Sequence, residues 1–317
     1  MSVGRFLLRR FIMLVVSLLV ASFVIFAAVY LAPGNPVSAL TGGRSVSPDA
    51  LRILQERYHL NDPFVVQYGR WLGNALHGDL GISITNREDV STLVASRIPT
   101  TAGLVLYASL IVLGVGIGMG VLGGLRRGVV DTSTVVISAV TAAIPAFVAA
   151  IVLILVFAVD LGWFPAFGNG EGFLDSLWHL TLPAIALAIS ALAIVARVTR
   201  AAIREEVGRE HVQTAVSRGI PRRQIIRRHV MRNAAIPITT VSGVTIASLI
   251  AVAAVVEIAF SLNGLGSYLV QAAQSKDLAV VQGISLILVT AFVVVNTLVD
   301  LLYATLDPRV SLGSRAT

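Results

Sequence analysis

The sequence contains no cysteine and a single lysine, Lys276, in 317 residues. The first absence excludes disulfides, cysteine-ligated zinc and thiol catalysis, and says nothing about the redox compartment. The second excludes a P-loop in this chain, because that loop needs Gly-Lys-Ser/Thr and Lys276 stands in QSKDL. Charge is also scarce: 13% of residues are charged and 56% are hydrophobic. No soluble domain is so apolar. The composition reads as an all-α integral membrane protein whose stability must come from packing.

Apolar runs of about 20 residues, the length that spans a bilayer core, occur near 11–31, 101–124, 132–157, 181–197, 236–257 and 280–302. Six transmembrane helices are expected, the fourth run being the shortest and weakest. Arginines precede the first run, but its apolar stretch is too long for the h-region of a signal peptide and no small-residue cleavage site is evident. It reads as an anchored helix.

Positively charged loops are retained in the cytoplasm. With the N-terminus inside, Arg5, Arg9 and Arg10, then Arg126 and Arg127, then the ten arginines from Arg197 to Arg232, then Arg309 and Arg315 share the cytoplasmic side. The other basic residues are Lys276 and six arginines in segment 32–98, which is near the length where charge stops governing translocation. Both termini are therefore expected to be cytoplasmic, around an even number of spans.

The stretch QTAVSRGIPRRQIIRRHVMRNAAIP, residues 213–237, holds much of that charge. From Arg197 to Arg232 ten arginines face only Glu205, Glu206 and Glu210, so this one region matches the formal net charge of the whole chain, +7. Retention of positive loops accounts for the charge but not for the spacing. Val207 to Arg218 suits a helix, Gly219 suits the left-handed position after a helix end, and Pro221 suits the first turn of a new helix. In that second helix Ile225, Ile226 and Val230 fall on one side, and Arg227 and Arg228 on the other. Two short helices joined at RGIP predict an elbow projecting from the membrane, a shape suited to docking.

At these residues the sequence resembles the permease subunits of bacterial ABC importers, whose cytoplasmic loop before the penultimate span carries the EAA motif. The matching positions are Gln213, Thr214, Ala215, Gly219 and Pro237; Gln and Thr replace the motif's Glu and first Ala, and Pro237 lies later than in the general pattern. Those departures resemble the peptide and nickel branch. Other stretches are similar to the same branch: RFLLRRFIMLVVSLLVASFVIFAAVYLAPGNP, YHLNDPFVVQYGRWLGNALHGDLGIS, LGWFPAFG, LWHLTLPAIAL, VEIAFSLNGLG and DPRV from Asp307. Asn35 and Asn263 replace an acid and a proline of the branch's pattern. The long segment after the first span is similar to the B-type member of a permease pair.

The resemblance implies a type I ABC importer permease fold in the bacterial inner membrane, multi-pass, without catalytic or metal-binding residues of its own. It implies a second, C-type permease as heterodimer partner, an extracytoplasmic substrate-binding protein, and two ATPase subunits that bind ATP and magnesium. Each ATPase would accept one elbow, with Ala215 and Gly219 permitting close approach and Gln213, Thr214, Arg218 and Arg222 supplying polar contacts. The expected organisation is an N-terminal helix and outer segment over 1–98, a five-helix core over 99–307 with a coupling loop at 198–235, and a cytoplasmic tail over 308–317. Peptides, nickel and other small solutes all remain open as substrate. Small and aliphatic residues in spans two, three and five favour a cavity for a peptide.

Rival readings find less support. In GVGIGMGVLGG, Gly118, Gly120 and Gly123 match the dinucleotide fingerprint GxGxxG, but no strand precedes them. Gly114 with Gly118, and Gly116 with Gly120, instead form small-xxx-small pairs for helix packing. An ion-gradient-driven transporter would want acids in mid-span, whereas Asp131 and Asp300 fall near cytoplasmic ends and Glu257 near an outer end. No HExxH or GxSxG occurs, and His59, His77, His179, His211 and His229 are scattered. A basic loop beside anionic membrane lipid needs no nucleic acid to explain it. Segment 32–98 contains SPDALRILQERYHL, opening with a helix-entry signal at Ser47-Pro48-Asp49, and FVVQYGRWLGNAL, whose Tyr68 and Trp71 suit a bilayer interface. It could be a platform on the outer surface for a binding protein, or a lid over the pore.

Overall fold

The computed structural model describes residues 3–31, 49 and 62–306. Apart from Asp49, the amphipathic stretch 47–60 lies outside the described residues, as do His59 and the tail. Among the described residues there is no strand, only an isolated bridge between Ile82 and Asp89.

The first helix, α1 (Val3–Leu31), is apolar on every side and mostly uncovered, as suits a helix facing lipid. It packs on the last helix, α13 (Leu278–Leu306), and Arg10 pairs with Asp300 across that contact. Helix α2 (Phe64–Leu76) follows. Its Phe64, Tyr68 and Trp71 meet Phe23, Phe26 and Tyr30 of α1 in edge-on and tilted pairs. Tyr68 also shares a 2.9 Å hydroxyl contact with Ser22. Tyr68 and Trp71 thus anchor α2 to the first span.

Helices α3 (Val90–Ala95), α4 (Ile98–Ile111) and α5 (Ile117–Leu125), with a π-helical turn at Val112–Gly116 between the last two, form one 36-residue path, Val90–Leu125. The third apolar run departs from expectation. It breaks into α6 (Val129–Ala143) and α7 (Ala146–Leu153), the latter continued by a π turn to Asp160, with a 96° bend between the arms. Pro145 is the cause: its ring disfavours helix at the preceding residue, and Ile144 is extended at φ −90°, ψ 113°. Each arm has 15 residues, about 22 Å of helix, too short alone for a hydrocarbon core of about 30 Å. Among the described residues five helices are thus long and apolar enough to cross, or six segments if the bent pair counts as one.

The fourth run also needs correction. It is part of α8 (Gly172–Gly208), 37 residues long, and 67% of its most apolar window is buried. Far from weakest, it is the central helix. Polar residues such as His179, Thr181 and Arg197 cut the apolar run short while the helix continues through them. The row Leu180, Ala184, Leu187, Ala188, Ala191 and Val195 is buried against Leu104 and Val112 of the second path, Ala149 and Ala150 of α7, and Leu249, Ala253 and Val256 of the fifth span. That fifth span comprises α10 (Arg222–Ile225), a π turn at Ile226–Val230 and α11 (Met231–Ala259), and it keeps Pro237 inside the helix. Between α8 and α10 stands α9 (Glu210–Ser217), and α12 (Leu265–Gln274) precedes α13.

Close approach of α5 to α8 depends on absent side chains. A Cβ at Gly120 would stand 2.7 Å from the Ala196 carbonyl, and one at Gly124 2.7 Å from Ile203 Cβ. Gly116 faces Leu192 and Val195. Of the four expected packing glycines, Gly116 and Gly120 therefore meet α8, whereas Gly114 and Gly118 face open space in this chain.

Candidate coupling elbow

The elbow forms where α8 leaves the core. The helix expected over Val207–Arg218 is interrupted: α8 stops at Gly208, Arg209 turns extended at φ −72°, ψ 149°, and α9 starts at Glu210. Helix α9 then runs to Ser217. Gly219 takes φ +70°, the left-handed conformation expected after a helix end. Its N–H reaches the Val216 carbonyl at 3.0 Å, and that of Ile220 reaches Ala215 at 3.2 Å. Pro221 sits just before α10 instead of inside its first turn.

The inner face of the elbow is a small core of its own. Val212 and Ala215 of α9, Ile225 of α10 and Val230 pack with Ile203 of α8 and Ala234 and Ile238 of α11. Periodicity places Ile225, Ile226 and Val230 on one side; Ile225 and Val230 are buried and Ile226 is half-buried, while Arg227 and Arg228 are exposed.

The expected coupling residues divide between two surfaces. Gln213, Thr214, Arg218 and Gly219 are exposed on the outward side. Ala215 is not: at 5% exposure it faces the elbow's own core, so its small size serves packing within this chain. Arg222, though exposed, donates to the Leu125 carbonyl at 3.4 Å, satisfying the end of α5. Gln213 likewise reaches back, its amide donating to the Gly208 carbonyl at 3.1 Å across the break between α8 and α9.

Two electrostatic clamps, neither anticipated from the sequence, hold this geometry. Glu206, 6% exposed, forms an ion pair with Arg209 Nε at 2.9 Å and accepts from Asn233 Nδ2 at 3.1 Å, with His211 Nε2 at 3.7 Å. One buried carboxylate thereby ties α8, the start of α9 and α11 together. The available signal was that Glu205 and Glu206 are adjacent acids inside an arginine-rich region, where a helix buries only one of two neighbours. The second clamp is Asp131 of α6, which accepts from both Arg200 and Arg204 of α8.

At the opposite end of the helices, α12 is docked by a second polar network. Glu257, fully buried, accepts from Thr101 Oγ1 at 2.6 Å and from the Ser267 N–H at 2.8 Å. Asn169 links the loop before α8 to the same region, donating to Thr100 Oγ1 and accepting from the Asn263 N–H, both at 2.9 Å. Asp277, also buried, accepts from Ser83 Oγ at 2.6 Å and from the Thr85 N–H at 3.1 Å. Arg97 lies 3.9 Å over the ring of Tyr268, whose phenol is pushed up by burial. Asp131, Asp300 and Glu257, the acids placed near span ends by the sequence, are each engaged by named partners.

Comparison with known proteins decides the family. The binding-protein-dependent transport system inner membrane component matches residues 113–312, and the N-terminal component of the same systems matches 3–105. The chain belongs to this family. Binding-protein-dependent permeases of this kind are bacterial inner-membrane components, and this one is a multi-pass transport subunit of that membrane.

Among its relatives, a Brucella abortus protein named provisionally as a peptide transport system permease is 38% identical over 309 residues, covering 96% of this chain and 98% of the relative. The oligopeptide transport system permease protein AppB of Bacillus subtilis is 35% identical over 314 residues, covering 97% and 99%. The dipeptide transport system permease protein DppB of Escherichia coli K12 is 33% identical over 333 residues, covering 96% and 98%. Among solved structures, the inward-facing MetNI methionine ABC transporter superposes with a TM-score of 0.57 at 17% identity, covering 68% of this chain and 96% of that one. At that identity the likeness is one of fold, and it identifies the bundle as an ABC importer permease fold.

Proposed function

We propose that this permease forms half of the translocation pore of an ATP-driven importer of dipeptides or oligopeptides. The names of its full-length relatives support the substrate class. In this reading a C-type permease completes the pore, two ATPase subunits bind ATP and magnesium, and an extracytoplasmic binding protein delivers the peptide. Both termini are cytoplasmic, which requires the bent third segment to cross once. Residues 1–98 form an N-terminal unit, 99–307 the permease core with its loop at 198–235, and 308–317 a tail.

One observation carries the coupling role: α9 has a buried inner face and an outward face that continues into Arg218, with the Thr214 and Arg218 side chains unpartnered among the described residues. Val212 and Ala215 fix α9 to the ends of the fourth and fifth spans, while Thr214, Arg218 and Gly219 are exposed. Movement imposed on the outward face is transmitted rigidly to α8 and α11, which is what a two-state element biased from below requires. Thr214, Arg218 and Gly219 would meet the ATPase, with Gln213 beside them. Ala215 and Arg222 would act from behind, holding the elbow's shape. An ion-gradient-driven transporter fits less well, since the three acids at its span ends are committed to structural partners.

The test is Gly219→Trp in the complex reconstituted with both ATPases, the second permease and the binding protein. Peptide uptake should collapse while the complex still assembles. Full coupling of ATP hydrolysis to uptake in that variant would refute the assignment.

A further inference from the structure

The second arm of the elbow carries a surface that the coupling role does not use. Pro221, Arg223, Gln224, Arg227 and Arg228 line an open recess of about 320 Å³, near the lower end of the range for small-ligand sites. Arg223 and Arg227 stand one turn apart with Gln224 and Arg228 beside them, while Ile225 and Val230 on the other side are buried. Like charges at that spacing disfavour a helix unless something neutralises them. Among the described residues none of these three arginines has an ion pair, whereas Arg200, Arg204 and Arg209 are paired with Asp131, Glu205 and Glu206.

Position decides which anion the recess suits. Arg222 to Ala259 is one continuous helical path, and its uncharged stretch runs from Asn233, next to Arg232, to Val256, just before the buried Glu257. From Ala234 to Val256 the helix is about 34 Å long, enough to cross a hydrocarbon core of about 30 Å with tilt. Arg227 and Arg228 lie about 10 Å further along the axis, where a long side chain reaches the headgroup layer. The guanidinium fork matches phosphate oxygens in bidentate pairs. We propose that Arg223, Arg227 and Arg228, with the Gln224 amide, bind the phosphodiester headgroup of an anionic phospholipid. Continuity with the span favours lipid over an acidic protein surface, and only the choice of the cytoplasmic leaflet rests on the orientation proposed above.

Native mass spectrometry of the full chain in neutral detergent tests this, using short-chain phosphatidylglycerol, phosphatidylcholine and inorganic phosphate as probes. Phosphatidylglycerol should bind at least ~10-fold more tightly than phosphatidylcholine, and the preference should fall as salt rises. The combined Arg223→Gln, Arg227→Gln and Arg228→Gln variant should lose it, and Arg126→Gln with Arg127→Gln should keep it. Should the triple variant not fold, Arg227→Gln alone should weaken it. An unchanged preference in the variants, or equal loss in the Arg126/Arg127 control, overturns the proposal. Full displacement of lipid by equimolar inorganic phosphate would make it a free-phosphate site. Retained lipid preference with lost ATPase co-purification would make the recess a protein interface, and either result also overturns it.

Discussion

Thr101 Oγ1 donates to Glu257 Oε1 at 2.6 Å and accepts from the Leu265 N–H at 2.8 Å, so one hydroxyl joins the second span, the end of the fifth and the first turn of α12. Glu257 completes the joint through Ser267, and a Cβ on Gly264 would overlap its carboxylate. An anion at a helix N-terminus is favoured by the peptide dipoles there. This joint fixes the end of the bundle farthest from the elbow.

Glu257→Ala leaves the Thr101 hydroxyl and the Ser267 N–H unsatisfied in a buried site, at a cost of about 2–4 kcal/mol. Thermal unfolding of the purified chain in detergent should show the midpoint falling well below that of wild type. An unchanged midpoint would mean that α12 is held by its apolar contacts alone.

Glycine substitutions separate the packed from the open face of α5. Gly120→Ala forces a methyl against Ala196 and Thr199 and should cost about 1–3 kcal/mol, while Gly118→Ala, with nothing near its Cβ, should be neutral or stabilising through helix propensity by up to about 1 kcal/mol. The same unfolding measurement reads both. Equal losses would contradict the geometry of the α5–α8 contact.

These contacts mark what the sequence revealed and what it hid. Spans one, two, five and six were legible as long apolar runs, and the elbow was legible because Gly219 and Pro221 are local signals of backbone shape. The bend at Pro145 was legible in principle, but a hydropathy run across 132–157 averages over a single proline. The role of α8 was hidden because burial by neighbouring helices is a tertiary property, and its polar ends shortened the apparent run. Gly114 and Gly118 looked like Gly116 and Gly120 because a motif of small residues does not say which face meets a neighbour. Glu206 and Asp277 were missed because their partners, Asn233 in one case and Ser83 in the other, are distant in sequence.

Glu206→Ala should loosen the elbow without removing it. Losing contacts to Arg209 and Asn233 should raise amide exchange across residues 210–221 by on the order of 10-fold, equivalent to about 1.4 kcal/mol. Exchange in α13 should stay as in wild type. If protection of 210–221 were unchanged, the small core around Val212 and Ile225 would be sufficient alone.

Tyr68→Phe removes the hydroxyl contact to Ser22 and the weaker one to the Leu19 carbonyl while keeping the aromatic cluster. A loss of about 0.5–1.5 kcal/mol is expected. Trp71→Ala should be worse, at about 3–5 kcal/mol if the site stays dry. Limited proteolysis at residues 77–89 should accelerate in the same order, and the reverse order would contradict the docking of α2 on α1.

In the proposed coupling scheme this subunit moves its solute with energy supplied by partner ATPases acting through the elbow. Proteoliposomes containing the full complex and a labelled peptide give the direct measurement, with uptake followed once with ATP and no ion gradient, and once with a gradient and no nucleotide. Uptake should require ATP, the ATPases and the binding protein, and should be absent with the gradient alone. Gradient-driven uptake by the isolated chain, with no nucleotide present, would contradict the claim.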